Sequence, residues 1–196
     1  MHAADWSELH HGINPDRVPL LRGWLRLVWL IARPLWFVPP IVLTVLGALF
    51  AIDALLLAST QPWVALGLVL LSTLCDALDG AVAVVARKAS RRGAIADKIA
   101  DRIADTAFAL VLWRCGAPWQ LAAIAAGMSL LHEGLREIRG GALRARITVA
   151  ERPTRVACTA LACICAGVST AAWPPTVCGG VWVAAAAVGL AQLARA

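Results

Sequence analysis

Asp76 and Asp79, followed by Gly80 and Ala83, and then Gly93, Asp97 and Asp101, stand inside a stretch of otherwise apolar sequence. Residues three or four apart share one face of a helix, so Asp76, Asp79, Gly80 and Ala83 form one stripe. Asp97 and Asp101 form a second, which Asp105 continues. Carboxylates gathered at membrane depth repel one another and are costly to desolvate, whereas hard divalent cations take oxygen ligands of this kind. No His or Cys is placed with the acids, which favours Mg2+ or Mn2+ over zinc. Gly80, Ala83 and Gly93 leave room for a phosphate to approach the backbone and the metal. The competing reading is an inert polar core in which the acids pair with Lys98, Arg102 and the loop arginines. Ionisable groups inside a membrane are functional by default, which weighs against it.

The elements that must position these acids are membrane helices. The chain has 196 residues, 60% of them hydrophobic and only 15% charged, against about 25% charged in soluble domains. Its mean hydropathy is +0.74. Stretches near Leu35 to Ser59, Pro62 to Val85, Ala94 to Trp113, Ala117 to Leu135, Arg155 to Trp173 and Val177 to Leu193 each approach the length of a membrane-spanning helix. The expected fold is all-α and polytopic, with six transmembrane helices in one domain over residues 35–196. Before it, residues 1–34 form a cytoplasmic N-terminus. There Asp16 to Arg33 mixes Leu and Trp with Arg17, Arg22 and Arg26, as an amphipathic helix on the membrane surface does. The first residues lack the pattern of a cleaved signal, so the N-terminus is expected to be retained.

Basic residues set the orientation, because Arg and Lys near span ends stay in the cytoplasm. They precede the first span, fill the loop from Arg87 to Arg92, and recur from Arg136 to Arg155, while the opposite connections hold only Arg114. Both termini and the acid-bearing helix ends are therefore expected to face the cytoplasm. If the second and third spans face each other, four carboxylates converge just below that surface. The net charge of +6 gathers there and suits anionic headgroups or phosphorylated substrates. No nucleic-acid reading module accompanies it.

Cys75, Cys115, Cys158, Cys163, Cys165 and Cys178 form no Cys-x-x-Cys pair and read as small buried hydrophobes. Trp63, Trp113, Trp119 and Trp173 fall at outer span ends, where interface anchoring explains them. Asp53 is a lone acid in the first span, placed near the outer interface or hydrogen-bonded to a neighbour.

The arrangement D-x2-D-G-x2-A, then G-x3-D-x3-D, over Asp76 to Asp101 resembles the signature of the CDP-alcohol phosphatidyltransferase family. The segment from Pro40 to Gly47 is similar to the family's entry to its first helix, with Ile41 at a position that is polar in the family. The signature places Arg where Val84 stands, and Arg87 lies three residues on, along roughly the same face.

The resemblance implies a donor such as CDP-diacylglycerol, whose lipid-side phosphate is attacked by an acceptor hydroxyl while CMP leaves. It implies a two-metal site with Asp76, Asp79, Asp97 and Asp101 as ligands, where the metals neutralise the diphosphate and hold the leaving oxygen. Asp101 is then also the general base on the acceptor hydroxyl. Thr44, Gly80, Ala83, Arg87, Ser90 and Gly93 are the residues expected around the CDP-lipid. Asp105 lies outside the signature and is expected to support the site.

For the acceptor, Arg139, Arg144, Arg146, Arg152 and Arg155 offer guanidinium groups that pair with phosphate oxygens; they equally satisfy the positive-inside rule. Glu151-Arg152-Pro153 resembles a run in the family's phosphatidylinositol phosphate synthases, pointing to inositol phosphate. Glycerol 3-phosphate, and phosphatidylglycerol as in cardiolipin synthesis, stay open. The family also implies a homodimer in the plasma membrane. From other classes, a small cation transporter and a catalytically silent scaffold remain as alternatives. Against a transporter, the acids cluster at helix ends rather than at the midplane.

Overall fold

The computed structural model describes residues 28–86, 88, 90–139 and 148–194, except for the side chain of Arg139. They are helical, with no strand among them. Six long helices follow one another: α1 (Pro40–Leu57), α2 (Pro62–Val85), α3 (Arg91–Arg114), α4 (Trp119–Arg139), α5 (Arg152–Val168) and α6 (Trp173–Ala194). Of these, α1, α2 and α6 are long and apolar enough to cross a membrane by length and composition. Of the other three, α3 carries charged residues along much of its length, α4 in its C-terminal turns and α5 in its first turn, and α5 is only 17 residues long.

Local chemistry accounts for the helix ends, several of which differ from the stretches read from hydropathy. α1 starts at Pro40 rather than near Leu35, because residues 33–37 form turns and Pro39 is extended. A proline suits a first helical turn, where its missing N–H has no partner to lose. α3 starts at Arg91 rather than Ala94, since Ser90 caps it by accepting a hydrogen bond from the Gly93 N–H at 3.1 Å. α5 ends at Val168, where Ser169 turns extended, and α6 begins at Trp173 with prolines in its first turn. α5 also begins at Arg152, three residues earlier than its apolar run, with Pro153 in the first turn.

The third helix is the centre of the bundle. α3 packs against α1, α4, α5 and α6, and its Ala104, Ala107, Phe108, Val111 and Leu112 are buried with Ala51 and Ala54 of α1, Ala125 of α4, Ala162 of α5 and Trp182 of α6. Without a hydrophobic driving force between helices in lipid, small side chains that permit close approach are what hold such contacts. By contrast α2 and α3, the two acid-bearing helices, barely touch. α1 and α5 pack on both of them and hold them apart.

A smaller apolar cluster joins Val28 and Ala32 to Leu43, Leu78 and Val82. Residues 28–32 are helical; the rest of the stretch expected to form a surface helix, from Asp16 on, lies outside the described residues. Asp53 is exposed in the last turn of α1. Trp63, Trp113, Trp119 and Trp173 are exposed, while Trp182 is buried and donates to Ser129 Oγ at 2.9 Å. All six cysteines are free; Cys75, Cys115, Cys158 and Cys163 are buried.

Candidate active site

The C-terminal third of α2 and the first half of α3 present their acids to the gap between them. Asp76, Asp97 and Asp101 each bring a carboxylate oxygen within 4.8 Å of the other two. This all-oxygen set suits a hard divalent cation, as the sequence pattern does. The side chains of Asp76 and Asp101 keep 29% and 27% of their surface accessible, so an ion can reach them.

Asp79 stands beside this triad and is tied to α1. Thr44 Oγ1 donates to Asp79 Oδ2 at 2.5 Å. The bond depends on how closely α1 lies against α2, which Gly47 permits: a Cβ at that position would meet the backbone oxygen of Ser72 at 3.3 Å and Cys75 Cβ at 3.4 Å. One turn before Asp76, Ser72 is fully buried, and its Oγ has no hydrogen-bond partner among the described residues.

A cavity of about 560 Å³ opens in front of Asp79 and Asp97. Thr44, Gly80, Ala83, Ser90 and Gly93 all line it, together with Lys88 and Arg92. A Cβ on Gly80 would meet nothing within 4 Å, so this glycine faces open space. The Ser90 cap fixes the first turn of α3 and so the placing of Gly93 and Asp97 one turn apart. Lys88 reaches back to donate to the Trp36 carbonyl at 3.2 Å, linking the α2–α3 loop to the segment before α1. Val84 is half-buried in the last turn of α2. Arg87 lies outside the described residues.

On the other side, the N-terminus of α5 enters the gap between α2 and α3. Arg152 Nη1 donates to Asp76 Oδ1 at 2.7 Å and also to Asp101 Oδ1. Arg155, one turn on, is buried and pairs with Asp105, with Glu133 Oε1 at 2.7 Å and with the Ala150 carbonyl at 3.0 Å. Of the five arginines expected around an acceptor phosphate, these two are thus engaged with acids. Arg144, Arg146 and the side chain of Arg139 lie outside the described residues. Lys98 pairs with Glu137 at 3.2 Å, and Arg102 lies 3.6 Å from Asp105 and 3.8 Å from Glu133. The inert-core reading paired the acids with Lys98, Arg102 and the loop arginines; among the described aspartates Asp105 is ion-paired to Arg102, none to Lys98, and Arg152 takes Asp76 and Asp101.

Sequence reading passed over the polar group behind Arg155. Glu133 of α4 gathers Arg155, Arg102 and Arg136, and neighbouring His132, fully buried, lies 3.0 Å from Thr148 Oγ1. Glu151 accepts from the Thr148 N–H at 2.9 Å and pairs with Arg136 at 3.1 Å. The turn that leads into α5 is anchored to α4 in this way. Its signal was present in the sequence, as an acid and a histidine inside an apolar span.

The arrangement offers a hard-cation site at one wall of a cavity large enough for a nucleotide-sized group, with helix termini and small residues at its mouth. Neither a curated protein nor a solved structure matches the chain. The model of the CDP-alcohol phosphatidyltransferase family matches residues 37–193, which include every helix that builds this site, and the chain belongs to that family, whose members transfer a phosphatidyl group from a CDP-alcohol.

Proposed function

We propose that this chain moves a phosphatidyl group from CDP-diacylglycerol to the hydroxyl of a polyol phosphate, inositol phosphate or glycerol 3-phosphate, with release of CMP. The observation that carries this reading is the cavity lined by Thr44, Gly80, Ala83, Ser90 and Gly93, which ends at Asp79 and Asp97 beside the Asp76–Asp97–Asp101 triad. Small residues along that wall admit the diphosphate close to the backbone, and Lys88 and Arg92 bring positive charge to its mouth.

Asp76, Asp79, Asp97 and Asp101 are the residues that would hold two divalent cations, Mg2+ or Mn2+. Bound there, such ions supply charge neutralisation to the diphosphate and to the leaving oxygen. Thr44 orients Asp79 through its hydrogen bond. Asp101 takes the proton of the acceptor hydroxyl as its oxygen bonds to the lipid-side phosphorus, and the bond from that phosphorus to CMP breaks. The basic stretch holding Arg139, Arg144, Arg146 and Arg152 meets the acceptor phosphate, since guanidinium groups pair with phosphate oxygens. The six helices span the plasma membrane with both termini and the site on the cytoplasmic side, and the chain works as a homodimer.

The test is CMP release by the purified protein from CDP-diacylglycerol with Mg2+ or Mn2+. Inositol phosphate, glycerol 3-phosphate, inositol and phosphatidylglycerol are supplied separately, with Asp97→Asn as control. Release with a polyol phosphate supports the reading. Release with phosphatidylglycerol alone moves the assignment to cardiolipin synthesis, and no release with any acceptor overturns it.

A further inference from the structure

Two arginines one turn apart on α5 are held in opposite ways. Arg155 has all three nitrogens engaged, with Nε on the Ala150 carbonyl, Nη2 on Glu133 and Nη1 on Asp105, and its side chain is 3% exposed. Arg152 makes both of its ion pairs, to Asp76 and to Asp101, through the single nitrogen Nη1. Its Nε is buried with no hydrogen-bond partner among the described residues, while its side chain is 21% exposed. A guanidinium carries five N–H donors in a fixed fork, and a buried donor left unmet is costly. Arg155 is therefore a fixture of the fold, whereas Arg152 is seated on the site by one nitrogen.

That nitrogen lies on two of the three residues whose oxygens converge within 4.8 Å. We propose that Arg152 is an internal counter-ion of the metal site, competing with the divalent cation for Asp76 and Asp101 and so setting its affinity; this rests on the metal-dependent reading above. Without a cation, converging carboxylates repel, and Arg152 holds them at ligand spacing. A metal binds the population in which Arg152 has withdrawn, so its apparent Kd is the intrinsic value divided by that fraction. The partial exposure of Arg152 gives its guanidinium somewhere to go. The satisfied neighbour Arg155 keeps α5 in place as it leaves.

The experiment is Mn2+ binding alone to the purified full-length protein, followed by electron paramagnetic resonance of free Mn2+, for wild type, Arg152→Gln, Arg152→Lys and Asp97→Asn. Arg152→Gln is expected to bind Mn2+ about tenfold tighter than wild type, as follows if Arg152 has withdrawn in about one molecule in ten of the wild type. Arg152→Lys, whose ammonium lacks the planar fork, is expected to fall between them. In EDTA the Tm of Arg152→Gln should drop below that of wild type, and Mn2+ should raise it by more. A purely structural arginine would lower both values alike and leave Mn2+ no tighter. Equal or weaker Mn2+ binding by Arg152→Gln overturns the proposal. Should that variant not fold, Arg152→Lys decides, and binding no tighter than wild type overturns it. Wild type that binds no Mn2+ overturns the metal reading as well, which separates the two failures.

Discussion

Arg155 of α5 and Asp105 of α3 form an ion pair in which each side chain is only 3% exposed. The pair fastens the helix that carries Arg152 to the helix that carries Asp97 and Asp101. Removing one partner of a buried pair leaves an uncompensated charge, at a cost of about 3–5 kcal/mol. Arg155→Met removes the nearest cation of both Asp105 and Glu133, leaving them only the longer contacts to Arg102 and Arg136, so it should lower the unfolding temperature in detergent more than Asp105→Asn does. The double variant Arg155→Met with Asp105→Leu should recover part of the loss. Equal effects of the two single changes would mean that Glu133 draws nothing from Arg155.

Gly189 of α6 lets the turn before α5 lie on that helix. A Cβ there would stand 2.5 Å from Ala150 Cβ and 3.2 Å from His132 Nε2. Neither can swing aside as a long side chain does, since Ala150 is bound to the turn itself and His132 is fully buried. Gly189→Ala should therefore destabilise by about 1–3 kcal/mol, as overpacking does. It should also reduce CMP release, because the displaced turn positions Glu151 and Arg152. Thermal unfolding and turnover of the same preparation check both; unchanged values would show that the turn yields freely.

Thr44→Val removes the hydroxyl that holds Asp79 at 2.5 Å while keeping the shape of the side chain. Hydrogen bonds to charged groups contribute about 1.5–3 kcal/mol, so turnover with CDP-diacylglycerol should fall by roughly tenfold or more. Thr44→Ser, which keeps the donor, should retain most of the activity. A Thr44→Val enzyme as active as wild type would remove this bond from the mechanism.

Asp101→Asn should abolish CMP release, by about a hundredfold or more for loss of a general base, while leaving part of the affinity for the CDP-lipid. Near-normal turnover would take Asp101 out of the base role. Chelation with EDTA should silence the wild-type enzyme, and Mg2+ or Mn2+ should restore it. Activity that survives EDTA would count against the aspartates as metal ligands.

Much of the site was legible in the sequence because its rules are local. The 3.6-residue period places Asp76 with Asp79 and Gly80, and Asp97 with Asp101, whatever surrounds them. Small residues announce open space, and Thr44, Gly80, Ala83, Ser90 and Gly93 do line one cavity. Ser90 shows the limit of that logic. It lines the cavity where the family resemblance expects the nucleotide, and it also caps α3, because a Ser just before a helix can accept from one of its first free N–H groups. Helix ends shifted for a related reason: hydropathy marks what suits lipid, whereas prolines and caps decide where the helical hydrogen bonds begin.

The sequence by itself determined an all-helical chain, two aspartate stripes with spacing suited to a metal, and a basic face. It could not tell one arginine from another, because the positive-inside rule gives every arginine near a span end the same reason to be there. Only the tertiary structure decided that α2 and α3 stand apart with α5 at the gap, that Arg152 reaches Asp76 across 76 positions of chain, and that Arg155 is bound to Asp105 and Glu133. Partner choice among charges depends on a few ångströms of separation between helices, and that distance is set by small residues at contacts far apart in the chain, the core alanines and Gly47 against Ser72 and Cys75.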